Sequence, residues 1–374
     1  KLQMVDLKSQ YEKIKEEVNA SIQDVLENNT YINGPLVHQF QADLETYLGA
    51  KHVIPCANGT DALQIAMMGL GLQPGDEVIT ADFTFAATVE VIALLQLTPV
   101  LVDVDINNMN ISLDGIRKAI TPKTKAIVPV HLFGRAANMD AIMEIANEHN
   151  LYVIEDSAQA IGADYTNKDG VKKKVGTIGH VAATSFFPSK NLGCYGDGGA
   201  IYTNDDDLAH IIRGIVNHGM YERYHHDVVG VNSRLDSIQA GVLKAKLPHL
   251  DTYNRARQDA ARKYTLALGV NPNIVAPTIC ENCDCHVFHQ YVIRITNGKR
   301  DALLAHLQEK EIPCAIYYPI PLHSQKAYAD VRYKEEDFPV TNQLCKEVIA
   351  LPMHTELDDE QIKFITDTVL EFLK

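Results

Sequence analysis

Residues 184–199 read TSFFPSKNLGCYGDGG, and this stretch decides the expected fold. An apolar strand-like run ends here, a lysine (Lys190) follows it, and a glycine-rich turn leads into another apolar run. Outward from this stretch, from about residue 52 to residue 204, apolar runs alternate with helical patterns, which predicts an α/β fold with a large, mainly parallel central sheet. The predicted strands lie at 77–80, 99–104, 125–131, 151–155, 181–187 and 199–203, and the predicted helices at 60–70, 86–96, 114–119 and 138–149.

The chain changes character near residue 250. A charged helix from Asp251 to Leu266 leads there into a smaller α+β pattern. We therefore expect a large domain at 1–250 and a smaller C-terminal α+β domain at 251–374. The remaining predicted helices lie at 7–27, 36–48, 206–217, 234–246, 299–309, 341–348 and 358–373, and the remaining strands at 287–295 and 313–317.

Composition excludes several classes of protein. Among 374 residues, 34 are Lys or Arg and 48 are Asp or Glu, so the net charge is −14. That charge argues against nucleic acid or an anionic membrane as a partner, although it leaves room for one phosphate in a local pocket. The longest apolar region, Val89 to Val104, is interrupted by polar residues and is not expected to span a membrane. Seven scattered cysteines, an odd number, favour a reducing, cytoplasmic setting.

Three polar segments could carry chemistry. In NGTDAL (58–63) a turn opens directly into a helix, where amides and a Thr hydroxyl can bind an anion, although a capped helix is the simpler explanation. In LYVIEDSAQ (151–159) a strand ends in two carboxylates, and Asp156 could hold a cationic nitrogen or cap a helix. Lys190 could form a Schiff base with an aldehyde or be an ordinary loop lysine.

Together these segments fit one ligand, pyridoxal 5′-phosphate (PLP). It needs an anchor for its phosphate, a carboxylate for its pyridinium nitrogen and a lysine for its aldehyde. In DFTFAAT (82–88), Phe83 and Phe85 follow a predicted strand and are placed to cover the ring. No Gly-Lys-Ser/Thr follows the glycine-rich turn and no G-x-G-x-x-G follows a strand, so nucleotide-triphosphate and dinucleotide loops lack support.

The order and the amino-acid sequences of four segments resemble those of a known family. They are IEDSAQ (154–159), SFFPSKNLGCYGDGGA (185–200), GVNSRLD (230–236) and YYPIPLH (317–323). The chain resembles the nucleotide-sugar aminotransferases of the DegT/DnrJ/StrS type, within fold type I of the PLP enzymes. Within that family it is most similar to enzymes that aminate carbon 3 of a UDP-linked 3-keto sugar, notably the UDP-3-keto-N-acetylglucosaminuronate type.

The resemblance implies a role for each matching residue of the cofactor site. Lys190 bonds the cofactor aldehyde and moves the proton, Asp156 pairs with the pyridinium nitrogen, and Gln159 contacts the phenolic oxygen. Phe85 stacks on the ring. The phosphate is held by Gly59, Thr60 and Ser185, and by Asn232 of the neighbouring subunit, which implies a homodimer with shared sites.

On the substrate side, the resemblance implies roles for Arg234, Tyr317, Tyr318 and His323, with glutamate as amino donor and surface polysaccharide or glycan biosynthesis as the setting. Arg234 could face a sugar carboxylate or a diphosphate. One residue departs from the family pattern, because uronate-type relatives have His where this chain has Tyr317. Whether the substrate is a uronate therefore stays open.

Two other functions remain open from the sequence. A PLP-dependent sugar dehydratase of the same family has His in place of the lysine, so Lys190 argues against it. A non-catalytic nucleotide-sugar-binding or regulatory protein on the same fold is the other.

The run Cys280-x-x-Cys283-x-Cys285-His286-x-x-His289 has metal-like spacing. We interpret it as a loop of reduced thiols and expect no metal.

Overall fold

The structure is a computed structural model that describes residues 1–278 and 285–374. Cys280 and Cys283 lie outside the described residues. The strands, in chain order, are β1 (His52–Cys56), β2 (Glu77–Ala81), β3 (Thr98–Val102), β4 (Thr124–Val128), β5 (Tyr152–Asp156), β6 (Asp164–Thr166), β7 (Lys172–Lys174), β8 (Val181–Ser185), β9 (Gly199–Thr203), β10 (Met220–Glu222), β11 (His225–His226), β12 (Ile274–Val275), β13 (Tyr291–Ile295) and β14 (Val348–Leu351).

The helices surround these strands. They are, in chain order, α1 (Leu7–Asn28), α2 (Pro35–Leu48), α3 (Gly59–Gly69), α4 (Ala87–Leu94), α5 (Leu113–Ala119), α6 (Met139–His149), α7 (Asp206–Ile215), α8 (Ser237–Lys246), α9 (Leu250–Leu268), α10 (Arg300–Glu309), α11 (Pro339–Glu347) and α12 (Asp359–Phe372). Short 3-10 turns lie at Leu132–Gly134, Leu247–His249, Leu322–Ser324 and Glu335–Asp337.

A seven-stranded central sheet has the order β1-β9-β8-β5-β4-β2-β3. Strand β9 runs antiparallel to both its neighbours, and the other pairs are parallel. The expected mainly parallel α/β fold is therefore confirmed. Strand β1, which the sequence analysis did not single out, forms one edge.

Alternation along the strands builds a core on each face of this sheet. Val78 and Ile154 belong to one buried cluster, and their neighbours Ile79 and Val153 belong to another. Successive side chains of a strand point to opposite faces, so both faces are apolar and helices cover both. The carboxyl ends of the parallel strands are left to carry polar residues.

The C-terminal part contains a second, antiparallel sheet with the order β12-β13-β14. The predicted strand at 313–317 was wrong, because only Ala315 forms an isolated bridge, to Ala350. The end of the predicted helix at 341–348 was also wrong, since Val348 begins strand β14. The division at residue 250 stays a prediction. Leu2 packs with the C-terminal core, and the Met353 amide donates to the Met4 carbonyl at 3.2 Å.

The cysteines differ in part from expectation. Cys285 takes part in a disulfide bond, so the prediction of reduced thiols is wrong at this residue. Free thiols are found at Cys56, Cys194, Cys314 and Cys345. The reducing, cytoplasmic setting stays a prediction. Among the residues that the structure describes, no helix combines the length and apolar character needed to cross a membrane.

Candidate active site

A cavity of about 650 Å³ opens at the carboxyl ends of the parallel strands. Asp156 ends β5 and Ser185 ends β8, so both point to the edge where a doubly wound sheet binds its ligands. The structure brings many of the predicted site residues together on its wall: Gly59, Thr60, Phe85, Asp156, Gln159, Ser185, Lys190, Tyr317 and Tyr318.

One end of the cavity is the N-terminus of helix α3. Asn58 caps this helix, and its side-chain oxygen accepts from the Asp61 amide at 2.7 Å. Gly59 lies so close to strand β8 that a Cβ added to it would stand 2.7 Å from the Ser185 Cβ. The capped helix and the predicted anion site are thus one feature, because the first amides of α3 and the Thr60 hydroxyl lie where an anion is favoured.

Asp156 places a carboxylate in the cavity wall. It is 5% exposed. Its Oδ2 accepts from the Thr88 hydroxyl at 2.7 Å and its Oδ1 from the Ala158 amide at 3.1 Å. Hydrogen bonds to both oxygens fix this carboxyl group in the cavity wall, where it can face a cationic nitrogen.

Lys190 stands in the loop between β8 and β9, and its amide donates to the Phe187 carbonyl at 2.8 Å. Its side chain is partly buried. Burial lowers the pKa of Lys190 to about 8, although the nearby Asp156 carboxylate acts in the opposite direction. A lysine with a lowered pKa presents the neutral amine that attacks an aldehyde or accepts a proton.

Aromatic rings form another wall. The Tyr318 ring lies 5.9 Å from Phe83, 6.4 Å from Phe85 and 6.2 Å from Phe133, measured between centroids. Phe85 is 60% exposed and lines the cavity, whereas Phe83 is buried in the core behind it. The Phe133 amide donates to Gln159 Oε1 at 2.6 Å, and Gln159 Nε2 donates to the Tyr318 hydroxyl at 3.3 Å.

Two residues of the site were missed by the sequence analysis. Thr88 donates a hydrogen bond to Asp156, and no local sequence signal marked it. His289, considered only for metal spacing, lines the cavity, and its buried Nδ1 lacks a hydrogen-bond partner among the described residues. Burial lowers its pKa well below the usual value, and the charges of Lys190 and Arg257 add to this effect. A neutral imidazole therefore faces the lysine.

Three predicted residues lie away from this wall. His323 is bound to Asp82 and Glu335 instead of lining the cavity. Arg234 donates to the Asn217 side chain at 3.2 Å, and Asn232 bridges Asn217 through the backbone.

Ser233, between Asn232 and Arg234, donates to Asp61 Oδ2 at 2.7 Å, which fastens this segment beside helix α3. The roles expected for Asn232 and Arg234 across a dimer interface stay predictions. Within residues 1–278 and 285–374, no group of three His, Cys, Asp or Glu side chains is placed to hold a metal ion.

A sequence model of the DegT/DnrJ/EryC1/StrS aminotransferase family matches residues 12–370. This chain belongs to that family. The matched span includes every residue of the cavity wall named above, so the DegT/DnrJ/EryC1/StrS assignment rests on the same segments that build the site.

Relatives of this DegT/DnrJ/EryC1/StrS aminotransferase extend over nearly its whole length. The UDP-2-acetamido-2-deoxy-3-oxo-D-glucuronate aminotransferase of Pseudomonas aeruginosa is 47% identical, over 97% of this chain and 98% of the relative. The pleiotropic regulatory protein of Geobacillus stearothermophilus is 46% identical, over 99% and 98%. The crystal structure of NtdA from Bacillus subtilis with bound cofactor PMP is 30% identical with a TM-score of 0.89, over 96% of this chain and 82% of that one.

Proposed function

We propose that this chain is a PLP-dependent aminotransferase that transfers an amino group from glutamate to carbon 3 of a UDP-linked keto sugar, for surface polysaccharide or glycan biosynthesis. The observation that carries the proposal is one cavity in which Lys190, Asp156 and the N-terminus of α3 meet. A 47% identical relative is named for a UDP-linked 3-oxo sugar, which supports this substrate class. A 30% identical neighbour was solved with PMP, the aminated form of the cofactor, which supports PLP.

The residues of the cavity fit PLP by their chemistry. Gly59, Thr60 and Ser185 would hold the phosphate at the helix N-terminus. Asp156 would face the ring nitrogen, since its carboxylate is buried and already holds two donors. Lys190 would bond the aldehyde, because its amine is substantially neutral near pH 8.

The ring itself would lie between these groups. Phe85, exposed on the cavity side, would stack on it, and Gln159 would meet the phenolic oxygen. The Phe133 amide fixes the Gln159 side chain through its Oε1, which turns the amide nitrogen toward Tyr318 and the cavity. A side chain held in this way loses less freedom when a ligand binds.

When bound, PLP draws electrons from the carbon atom that loses its proton. Lys190 Nζ accepts the proton from the α-carbon of glutamate, and in the second half-reaction it delivers a proton to the sugar carbon that receives the amino group. The Asp156 carboxyl group would hold the ring nitrogen and favour its protonated form. His289 is kept neutral by its burial, so the low pKa of Lys190 rests on the burial of its own amine.

The proposed assembly is a homodimer with shared sites. Asn232 of one subunit would reach the phosphate in the other, with Arg234 and Tyr317 on the substrate side. In the single chain Asn232 and Arg234 lie beside the first turn of α3, outside the cavity wall. A second copy is therefore what would bring such residues to a cavity.

The test is the visible spectrum of the purified chain with PLP. Glutamate should bleach the cofactor band, and one member of a panel of UDP- and dTDP-amino sugars should bleach it in the reverse direction. Over complete turnovers, 2-oxoglutarate and amino sugar should form in equal amounts. Lys190→Ala should show no turnover, and a variant with near-wild-type activity would defeat the assignment.

The alternatives give different results. A dehydratase would consume the sugar without forming 2-oxoglutarate, and Lys190 speaks against it. A regulatory protein is favoured by the name of the Geobacillus relative. It would bind nucleotide sugar but show no bleaching with any amino donor, and absence of a cofactor band after PLP addition would also favour it.

A further inference from the structure

Asp82 joins two segments that are far apart in the chain. It follows strand β2 directly and its side chain is fully buried. Its Oδ1 accepts from the His323 amide at 2.8 Å, and its Oδ2 lies 2.6 Å from His323 Nδ1. The Leu322 amide donates to the Asp82 carbonyl at 3.2 Å. Three hydrogen bonds therefore tie the loop after β2 to a segment 241 residues later.

The other nitrogen of His323 is also bound to a carboxylate. Nε2 lies 3.0 Å from Glu335 Oε1, which also accepts from the Ser324 hydroxyl at 3.2 Å. The ring stacks on Phe338 at 4.3 Å between centroids. Because an ionised carboxylate only accepts, both ring nitrogens act as donors when Asp82 and Glu335 are ionised, and the ring is then an imidazolium.

The titration of the pair agrees with this geometry. Burial acts to lower the pKa of His323, but the hydrogen bonds and charges of Asp82 and Glu335 outweigh it and raise the pKa. Burial raises the pKa of Asp82 to about 6, against the effect of His323. The partners of His323 thus favour its protonated form, in agreement with the two carboxyl groups at its ring nitrogens.

Each tied segment carries part of the aromatic wall. Thr84 and Phe85, which line the cavity, come two and three residues after Asp82, and Tyr318, which also lines it, stands five residues before His323. The ring contact between Phe85 and Tyr318 spans the gap at 6.4 Å. The spacing between Phe85 and Tyr318 thus depends on the hydrogen bonds between Asp82 and the His323 segment.

We propose that Asp82 and His323 are positioning residues that clasp the Phe85 loop to the Tyr317–Tyr318 segment and thereby set the affinity for the nucleotide sugar, without touching it. This rests on the proposed function, and it gives His323 a different role from the substrate contact expected from the sequence. Both substrates react at the same lysine, and in this proposal the larger nucleotide sugar extends past it along the aromatic wall. Glutamate reaches only the centre.

Variants of His323 separate the two halves of the clasp. His323→Asn places an amide donor where Nδ1 stands and keeps the contact with Asp82. His323→Gln places the donor near Nε2 and keeps only the side-chain contact with Glu335, and His323→Phe keeps neither side-chain contact. The backbone hydrogen bonds to Asp82 remain in every variant. The assay uses holoenzyme and measures KM for each substrate together with the visible cofactor band.

His323→Phe should raise KM for the nucleotide sugar about tenfold to a hundredfold, because hydrogen bonds between charged partners are lost. KM for glutamate should stay within about twofold, and the cofactor band should be unchanged. His323→Asn should restore most of the affinity, and His323→Gln should not. A purely structural role would move both KM values, or the thermal midpoint, without this ordering.

The proposal is overturned if His323→Phe behaves as wild type, if both KM values rise together, or if the Asn and Gln variants are equal. Should His323→Phe fail to fold, the comparison of Asn with Gln decides alone. The glutamate half-reaction of the wild type distinguishes a failure of the proposed function from a failure of the clasp. If it is absent, the proposed function fails; if it is present and the ordering is absent, only the clasp fails.

Discussion

Thr88 and Asp156 are joined by a hydrogen bond of 2.7 Å although 68 positions separate them in the chain. Thr88 lies in the first turn of α4, and Asp156 is the last residue of β5. Both side chains are buried, so water does not compete for the bond. The helix that follows the Phe85 loop thus fixes the carboxylate on the opposite side of the cavity.

Replacing Thr88 with Val should weaken PLP binding about tenfold to a hundredfold, because a buried hydrogen bond to a charged group is lost while the shape is kept. Titration of the apo chain with PLP, followed at the visible band, measures the effect. Thr46→Val is the matched control, since Thr46 is exposed and bonds only its own helix. Equal affinity in Thr88→Val and wild type would contradict the prediction.

Uptake of PLP by the apo chain should depend on pH through Lys190. Burial lowers its pKa to about 8 from the usual 10.5, so the neutral amine becomes abundant near pH 8. Only that form attacks the aldehyde, so the rate should rise as pH increases, about fivefold from pH 7 to 8 and about twofold from 8 to 9. Stopped-flow absorbance measures it. A tenfold rise between pH 8 and 9 would mean an unperturbed lysine.

Arg257 should be critical for stability. It is buried in α9, and its Nη1 lies 3.0 Å from the Phe288 carbonyl oxygen and 3.2 Å from that of His289. Arg257→Met leaves these carbonyls without their donor, so the free energy of unfolding should fall by about 2–4 kcal/mol. Arg255→Met, at an exposed position of the same helix, should change it by less than about 0.5 kcal/mol.

Urea unfolding of both variants, followed by circular dichroism, checks the Arg257 prediction. A midpoint for Arg257→Met equal to that of Arg255→Met would refute it. Because the freed carbonyls flank His289, the cavity wall should loosen as well. The PLP affinity of the folded Arg257→Met protein should therefore also fall.

Mixed dimers test whether sites are shared. A Lys190→Ala chain paired with an Asn232→Ala chain should regain about half of the wild-type activity, since one site then holds Lys190 from one subunit and Asn232 from the other. Two affinity tags isolate the mixed species. Lys190→Ala paired with Asp156→Asn is the control: both residues belong to one chain, so neither site is intact. Activity no higher than the mean of the two parents would exclude sharing.

The sequence predicted the residues that line the cavity better than the residues that hold them in place. Lys190, Asp156 and Gly59 each follow or precede a regular element, so the parallel sheet brings them to one edge. Thr88 and His289 were missed because nothing local distinguishes a threonine inside a helix or a histidine entering a strand. Their positions depend on packing between segments far apart in the chain.

His323 was predicted from its motif to contact the substrate. In the structure it is bound instead by the buried carboxyl group of Asp82. An ion pair of this kind depends on long-range geometry that no local pattern records. The missed strand β14 has a similar cause: Val348–Leu351 is a short apolar run, which periodicity alone does not separate from the end of a helix.

The loop that carries Lys190 begins and ends on neighbouring strands, because Ser185 of β8 pairs with Gly199 of β9. The buried amide of Asn191 also donates to the Val287 carbonyl at 2.8 Å. With the backbone held on both sides, Lys190 would carry the proposed proton between reacting carbons by rotation of its four-carbon stem. Side-chain rotations take on the order of nanoseconds where they are accessible, against microseconds or longer for closing loops. We therefore expect proton delivery by Lys190 to need no movement of the loop that carries it.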